Sequence, residues 1–141
     1  MRSNLEHAKE LLRSGNYTCV LCGEGGVLTT CKRGVKPLLE WLDLGDDFSQ
    51  YSAADKVVGN GAAFLYALLN VKEVYAPVMS KAAASTLKKY GISFECDVMA
   101  DGIRNRDNTG NCPIEEAVSG ADTPEAAEKA IREKLALMAG K

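Results

Sequence analysis

The sequence predicts one α/β domain, a three-layer α/β/α sandwich around a mixed sheet. Three observations lead there. The 141 residues are the usual length of a single domain, and with 46% of them hydrophobic the chain fills a core without disulfides or metal. Helix-like and strand-like hydrophobic periods alternate along the chain. Two strand-like runs, 71–78 and 92–98, also flank a helical one, and such a crossover demands parallel strands. An early hairpin supplies antiparallel strands, so the sheet is mixed.

The elements follow in order. Ser3 and Glu6 have capping-box spacing, and Leu5, Ala8, Leu11 and Leu12 recur at helical spacing up to Gly15. Residues 17–22 and 27–31 read as strands joined at Glu24, Gly25 and Gly26, a hairpin. A short helix over 35–44 ends at Gly45, with Trp41 packing it on the sheet. Ser52 then opens the longest helix, which runs to about Asn70, with Asp55 again at capping-box spacing. The next strand covers 71–78, with Pro77 near its end because proline cannot donate to a ladder. Ser80 caps a third major helix that carries Lys88 and Lys89 in its last turn and stops at Gly91. The fourth strand covers 92–98, and 99–111 is a polar loop. Cys112 and Pro113 start a short helix, and Thr123 and Pro124 start the last one, which ends near Met138. No repeat, low-complexity tract or linker divides residues 1–141, so they form a single domain.

Composition excludes several functions. Net charge is −2 and no Lys/Arg run forms a patch, which disfavours nucleic acid and an anionic membrane surface. Aromatic residues make up 6%, too few for a broad base-stacking surface. No apolar stretch reaches the ~20 residues of a membrane span, and the polar start is not a signal peptide. The five cysteines without a secretion signal read as free thiols in a reducing cytoplasm. Cys19 and Cys22 have CxxC spacing, but three residues apart on a strand they face opposite sides and do not converge on a metal. His7 reads as a surface residue on the first helix, and the acidic final helix as a solvated face with one apolar stripe.

The order helix, hairpin, helix, strand, helix, strand resembles the cytidine-deaminase-like fold. In that superfamily a His/Cys-x-Glu motif and a Pro-Cys-x-x-Cys motif bind the zinc that activates water. Here the first motif falls on Ala53-Ala54-Asp55 and the second on Pro77-Val78-Met79-Ser80-Lys81. Zinc hydrolysis needs three protein ligands and a water, and none of the three ligands is present. No metal and no cofactor is therefore expected. The stretches Ala54-Asp55-Lys56-Val57-Val58-Gly59 and Asn105-Arg106 through Gly110-Asn111-Cys112-Pro113-Ile114-Glu115 are also similar to an uncharacterised prokaryotic family, domain of unknown function 1893, placed in the same superfamily. The resemblance implies a fold and carries no assigned activity.

Two segments hold the candidate chemistry. One is Asp55 and Lys56, followed by Gly59-Asn60-Gly61, glycines that cost a helix interior ~1 kcal/mol each. They serve close approach of a ligand or another backbone, or tight helix packing. The other is Arg104, Asn105 and Arg106, leading to Cys112 and Glu115 at a helix start. Helix starts and arginine forks both bind anions. Cys112 would stand there as a candidate nucleophile, though only His7 is available as a partner.

The leading expectation is a non-zinc, deaminase-like protein. It would bind a nucleotide-like or other phosphorylated small ligand through Asp55, Lys56, Asn60, Arg104, Asn105, Arg106 and Glu115. The alternatives are a metal-independent enzyme using Asp55 or Cys112 as catalytic groups, and a regulatory or structural module that self-associates. A homodimer is a possible assembly.

Overall fold

The computed structural model describes residues 3–32, 34–101 and 112–139. The chain opens with α1 (Asn4–Ser14), whose first amides are capped by Ser3: its Oγ accepts from the Glu6 N–H at 3.1 Å. Next come β1 (Cys19–Gly23) and β2 (Gly26–Thr30), an antiparallel hairpin. Tyr51 lies across its turn, and a β-carbon on Gly23 would stand 2.6 Å from the Tyr51 ring. The hairpin therefore needs glycine there for space. Helix α2 (Lys36–Leu44) stops at Gly45, whose φ of 74° lies in the left-handed region that favours glycine.

The following segment departs from the sequence expectation. Ser52 does not open a helix. It begins β3 (Ser52–Asp55), followed by β4 (Val57–Val58), and only α3 (Asn60–Leu69) is helical. Ser52 is fully buried and donates to Glu73 Oε2 at 2.6 Å, so it caps nothing. Pairing with strands on both sides outweighs the helix preference of Ala53 and Ala54. The longest helix among the described residues is instead the last one.

The chain continues as β5 (Glu73–Ser80), α4 (Lys81–Lys89), β6 (Ser93–Ala100), α5 (Pro113–Ala117) and α6 (Pro124–Ala139). Ser80 caps α4 through the Ala83 N–H at 3.0 Å, as its position in the sequence implies. The last strand extends through Met99 and Ala100, which the sequence reading gave to the loop. The rest of that loop, 102–111, lies outside the described residues.

The sheet is open and mixed, with six strands and six helices among the described residues. Its order is β2-β1-β3-β5, with β4 continuing the line of β3 along β5, and β6 also pairing with β5. β1 is antiparallel to both neighbours. β3, β4 and β6 all run parallel to β5, so the crossover strands are parallel as expected.

A crease crosses this parallel part. Pro77 sits inside β5 rather than at its end, and it pairs with no residue on either side. Proline has no N–H for a ladder, which confines it to edges or interruptions. The neighbouring line is interrupted at the same level, between Asp55 and Val57, where the Lys56 N–H turns to the Thr18 carbonyl at 3.1 Å. Inward residues step by two up to this level and by three across it: Val74 and Ala76, then Met79. β3 and β4 follow the same pattern, with Ala53, then Asp55, then Val58.

Two apolar clusters lie on opposite faces. The larger holds Cys19, Leu21, Val74 and Ala76 of the sheet with residues of α2 to α6, Trp41 among them. The smaller holds Val20, Cys22, Ala54 and Tyr75 with Ala8 and Leu12 of α1. Cys19 and Cys22 thus face opposite sides in separate cores, as strand alternation requires.

Gly23→Ala drives a β-carbon into the Tyr51 ring. The urea midpoint should fall by the equivalent of about 1–3 kcal/mol. An unchanged midpoint would show that Tyr51 does not hold the hairpin turn.

Candidate functional site

The start of α3 is one of two polar constellations. Glu115 of α5 accepts from the Asn60 N–H at 2.7 Å and from the Gly61 N–H at 2.8 Å, one bond to each carboxylate oxygen. First-turn amides are a ready anion site, and here an internal carboxylate fills it. The glycines follow from that contact. A β-carbon on Gly59 would stand 2.6 Å from Glu115 Oε1, and one on Gly61 2.7 Å from Ile114 Cγ2. Of the two uses the sequence allowed for these glycines, the structure shows tight packing, against α5. The Asn60 side chain faces α4, where its Oδ1 accepts from the Thr86 hydroxyl.

Asp55, half-buried at the end of β3, belongs to a second constellation. It pairs with Cys19 of β1 at the level of the crease rather than at the carboxyl edge of the sheet, about four residues or ~13 Å below Gly59. The Tyr66 hydroxyl of α3 donates to Asp55 Oδ2 at 2.8 Å and lies 3.1 Å from Cys19 Sγ. Tyr66 is fully buried and Cys19 is 4% exposed. Burial pushes the Asp55 carboxyl up to about 7, against the opposing pull of the Tyr66 hydrogen bond. Burial, followed by the Asp55 charge, raises the Tyr66 phenol and the Cys19 thiol well above their ordinary ranges. Both therefore keep their protons at neutral pH.

The remaining candidates scatter. Cys112 is the residue before α5, half-buried and packed on the larger core, without a side-chain capping bond. Its only histidine partner by sequence, His7, sits on α1 at the opposite face of the sheet, which separates the two. Lys56 is exposed at the crease. Arg104, Asn105 and Arg106 lie outside the described residues. The structure thus joins Asn60 to Glu115, sets Cys112 three residues from that contact, and parts all three from Asp55.

The three positions aligned with the zinc ligands hold Ala53, Val78 and Lys81, none of which has a zinc-ligating group. Ala53 is fully buried in the core and Lys81 pairs with Asp101 at 2.8 Å. Because α3 begins at Asn60 rather than Ser52, the helix-opening motif would shift by several residues. The shift changes nothing, since residues 52–91 contain neither histidine nor cysteine. A zinc-activated water has no ligand set in that region.

A family model described as a domain of unknown function (DUF1893) matches residues 7–135. The chain belongs to the DUF1893 family. Its fold is also similar to the crystal structure of a DUF1893 family protein from Thermotoga maritima, with a TM-score of 0.82 and 26% identity over 96% of this chain and 91% of that one. No curated protein matches the chain. In this DUF1893 protein the residues that sequence reasoning missed are Tyr66, Cys19 and Thr86. The signal for Tyr66 was present: it is the one hydroxyl in the apolar run of α3, and a buried tyrosine hydroxyl needs a partner.

Glu115→Gln keeps one acceptor but removes the charge that complements the helix start. Stability should fall by about 1–2 kcal/mol, read as a lower denaturant midpoint. Gly61→Ala should cost about 1–3 kcal/mol through overpacking against Ile114. If both variants match the parent, the α3–α5 tie carries no stability.

Proposed function

We propose that this protein is a non-zinc binding protein with a three-layer, cytidine-deaminase-like fold, and that it takes a nucleotide-like or other phosphorylated small ligand. The supporting observation is a convergence at one edge of the sheet. The parallel strands end together there, α3 and α4 begin there, and open α/β sheets bind ligands at that edge. The described residues on either side of 102–111 also lie at this edge. Ala100 pairs with Ser80, and Glu115 of α5 holds the start of α3. Segment 102–111 carries Arg104, Asn105 and Arg106.

The division of labour changes from the sequence expectation. Glu115 already meets the first amides of α3, so phosphate recognition falls to Arg104 and Arg106 rather than to the helix start. Asn60 and Asn105 supply neutral hydrogen bonds. Lys56 stands at the crease, below that edge by the length of β4. Asp55 acts from the interior, not as a direct ribose or base contact.

A metal-independent enzyme is the second reading. The observation that favours it is a carboxyl pushed up to about 7, the range a general acid or base uses near neutral pH. Asp55→Asn would then abolish turnover of a nucleoside-type substrate while leaving the fold intact.

A thermal-shift screen with nucleotides and sugar phosphates tests the first reading. A ligand at 100 times its Kd should add ~2.7 kcal/mol of stability, and the double variant Arg104→Ala/Arg106→Ala should lose that shift. If no compound shifts the midpoint, ligand binding fails as the function. The self-associating module then takes its place, with Phe94, Val98 and Met99 exposed on β6 as its surface.

A further inference from the structure

We propose that Asp55, Tyr66 and Cys19 form a proton-operated switch that sets how firmly α3 is held to the sheet. The three groups make a continuous polar seam through an apolar interface. Asp55 comes from the end of β3, Cys19 from β1 and Tyr66 from the middle of α3. The Tyr66 hydroxyl bridges the other two, at 2.8 Å from Asp55 Oδ2 and 3.1 Å from Cys19 Sγ. Cys19 and Tyr66 belong to the same buried apolar cluster as Leu21, Ala53, Val58 and Ala63.

No ion pair reaches Asp55 among the described residues. The groups that face it are the Cys19 thiol from β1, the Tyr66 phenol from α3, and the backbone N–H groups of Lys56 and Val57. Lys56, next in the chain, is exposed. Asp55 is half-buried, and a carboxylate set against apolar groups without a cation is costly, so the neutral acid is the form this seam holds best. With the proton on Asp55, the seam is uncharged and hydrogen-bonded. As the pH rises, that proton leaves to solvent, because Tyr66 and Cys19 hold theirs more tightly. A negative charge then lies beneath a helix that is otherwise almost entirely apolar. Any local opening that exposes the half-buried Asp55 further becomes easier. The same helix holds Glu115 through its first amides, so loosening α3 also loosens α5.

The direction follows from linkage. The folded-state carboxyl sits at about 7, above its ordinary value of 3.8. The closed state therefore binds more protons than any open state between those values. Its advantage is complete below pH 4, is lost progressively towards pH 7 and is level beyond it.

Amide hydrogen exchange at several pH values, corrected for intrinsic rates, tests the switch. Between pH 5 and 7, protection in α3 should fall by up to roughly tenfold per pH unit, while α1, packed on the opposite face, changes less. Asp55→Asn should flatten the α3 profile, and His7→Gln, on α1, should leave it unchanged. Should Asp55→Asn fail to fold, the carbon-13 shift of the Asp55 carboxyl in the parent protein decides the matter. A midpoint near 7 that rises further in Tyr66→Phe supports the switch. A midpoint near 4, or α3 and α1 profiles that move in parallel, overturns it.

Discussion

A proline placed inside β5, the strand on which the parallel part of the sheet is built, constrains everything around it. Pro77 donates no hydrogen bond, and β5 is flanked on both sides, so both ladders are interrupted at its level. The neighbouring line breaks into β3 and β4 at Lys56, and the inward-facing residues step by three instead of two. The crease thereby lets Asp55 face inward at mid-sheet, where a strictly regular strand would continue an apolar row. A helix laid over that point must bring a polar group, and Tyr66 is that group.

The domain settles its two most exacting acidic groups internally. Glu115 neutralises the positive end of α3, and the space taken by Glu115 and Ile114 explains glycine at 59 and 61 respectively. Asp55 is settled by hydrogen bonds rather than by a cation, which leaves its proton loosely poised. No buried side-chain nitrogen or oxygen among the described residues lacks a partner. The scaffold around the start of α3 is thus self-satisfied.

Local signals were legible wherever one residue controls a backbone feature. Ser3, Ser80, Gly45 and Pro113 each mark a helix end at the position the sequence indicates, because caps and turns are decided within four residues. The hairpin and the parallel pairing of β5 with β6 were legible for similar reasons of turn chemistry and crossover handedness. The segment from Ser52 misled because Ser-x-x-Asp followed by alanines imitates a capped helix. Nothing local reveals that β1 and β5 lie on either side of it.

The amino-acid order by itself determined the alternation of elements, the opposed faces of Cys19 and Cys22, and the lack of any histidine or cysteine between residues 52 and 91. Each of these depends on residue type or on spacing within one element. Only the tertiary structure decided that Asp55 points into the core and that Glu115 reaches Asn60 and Gly61 from 55 and 54 positions away. Contacts of that kind depend on how distant elements stack, and the free energy of stacking is shared among many residues rather than written in any single motif.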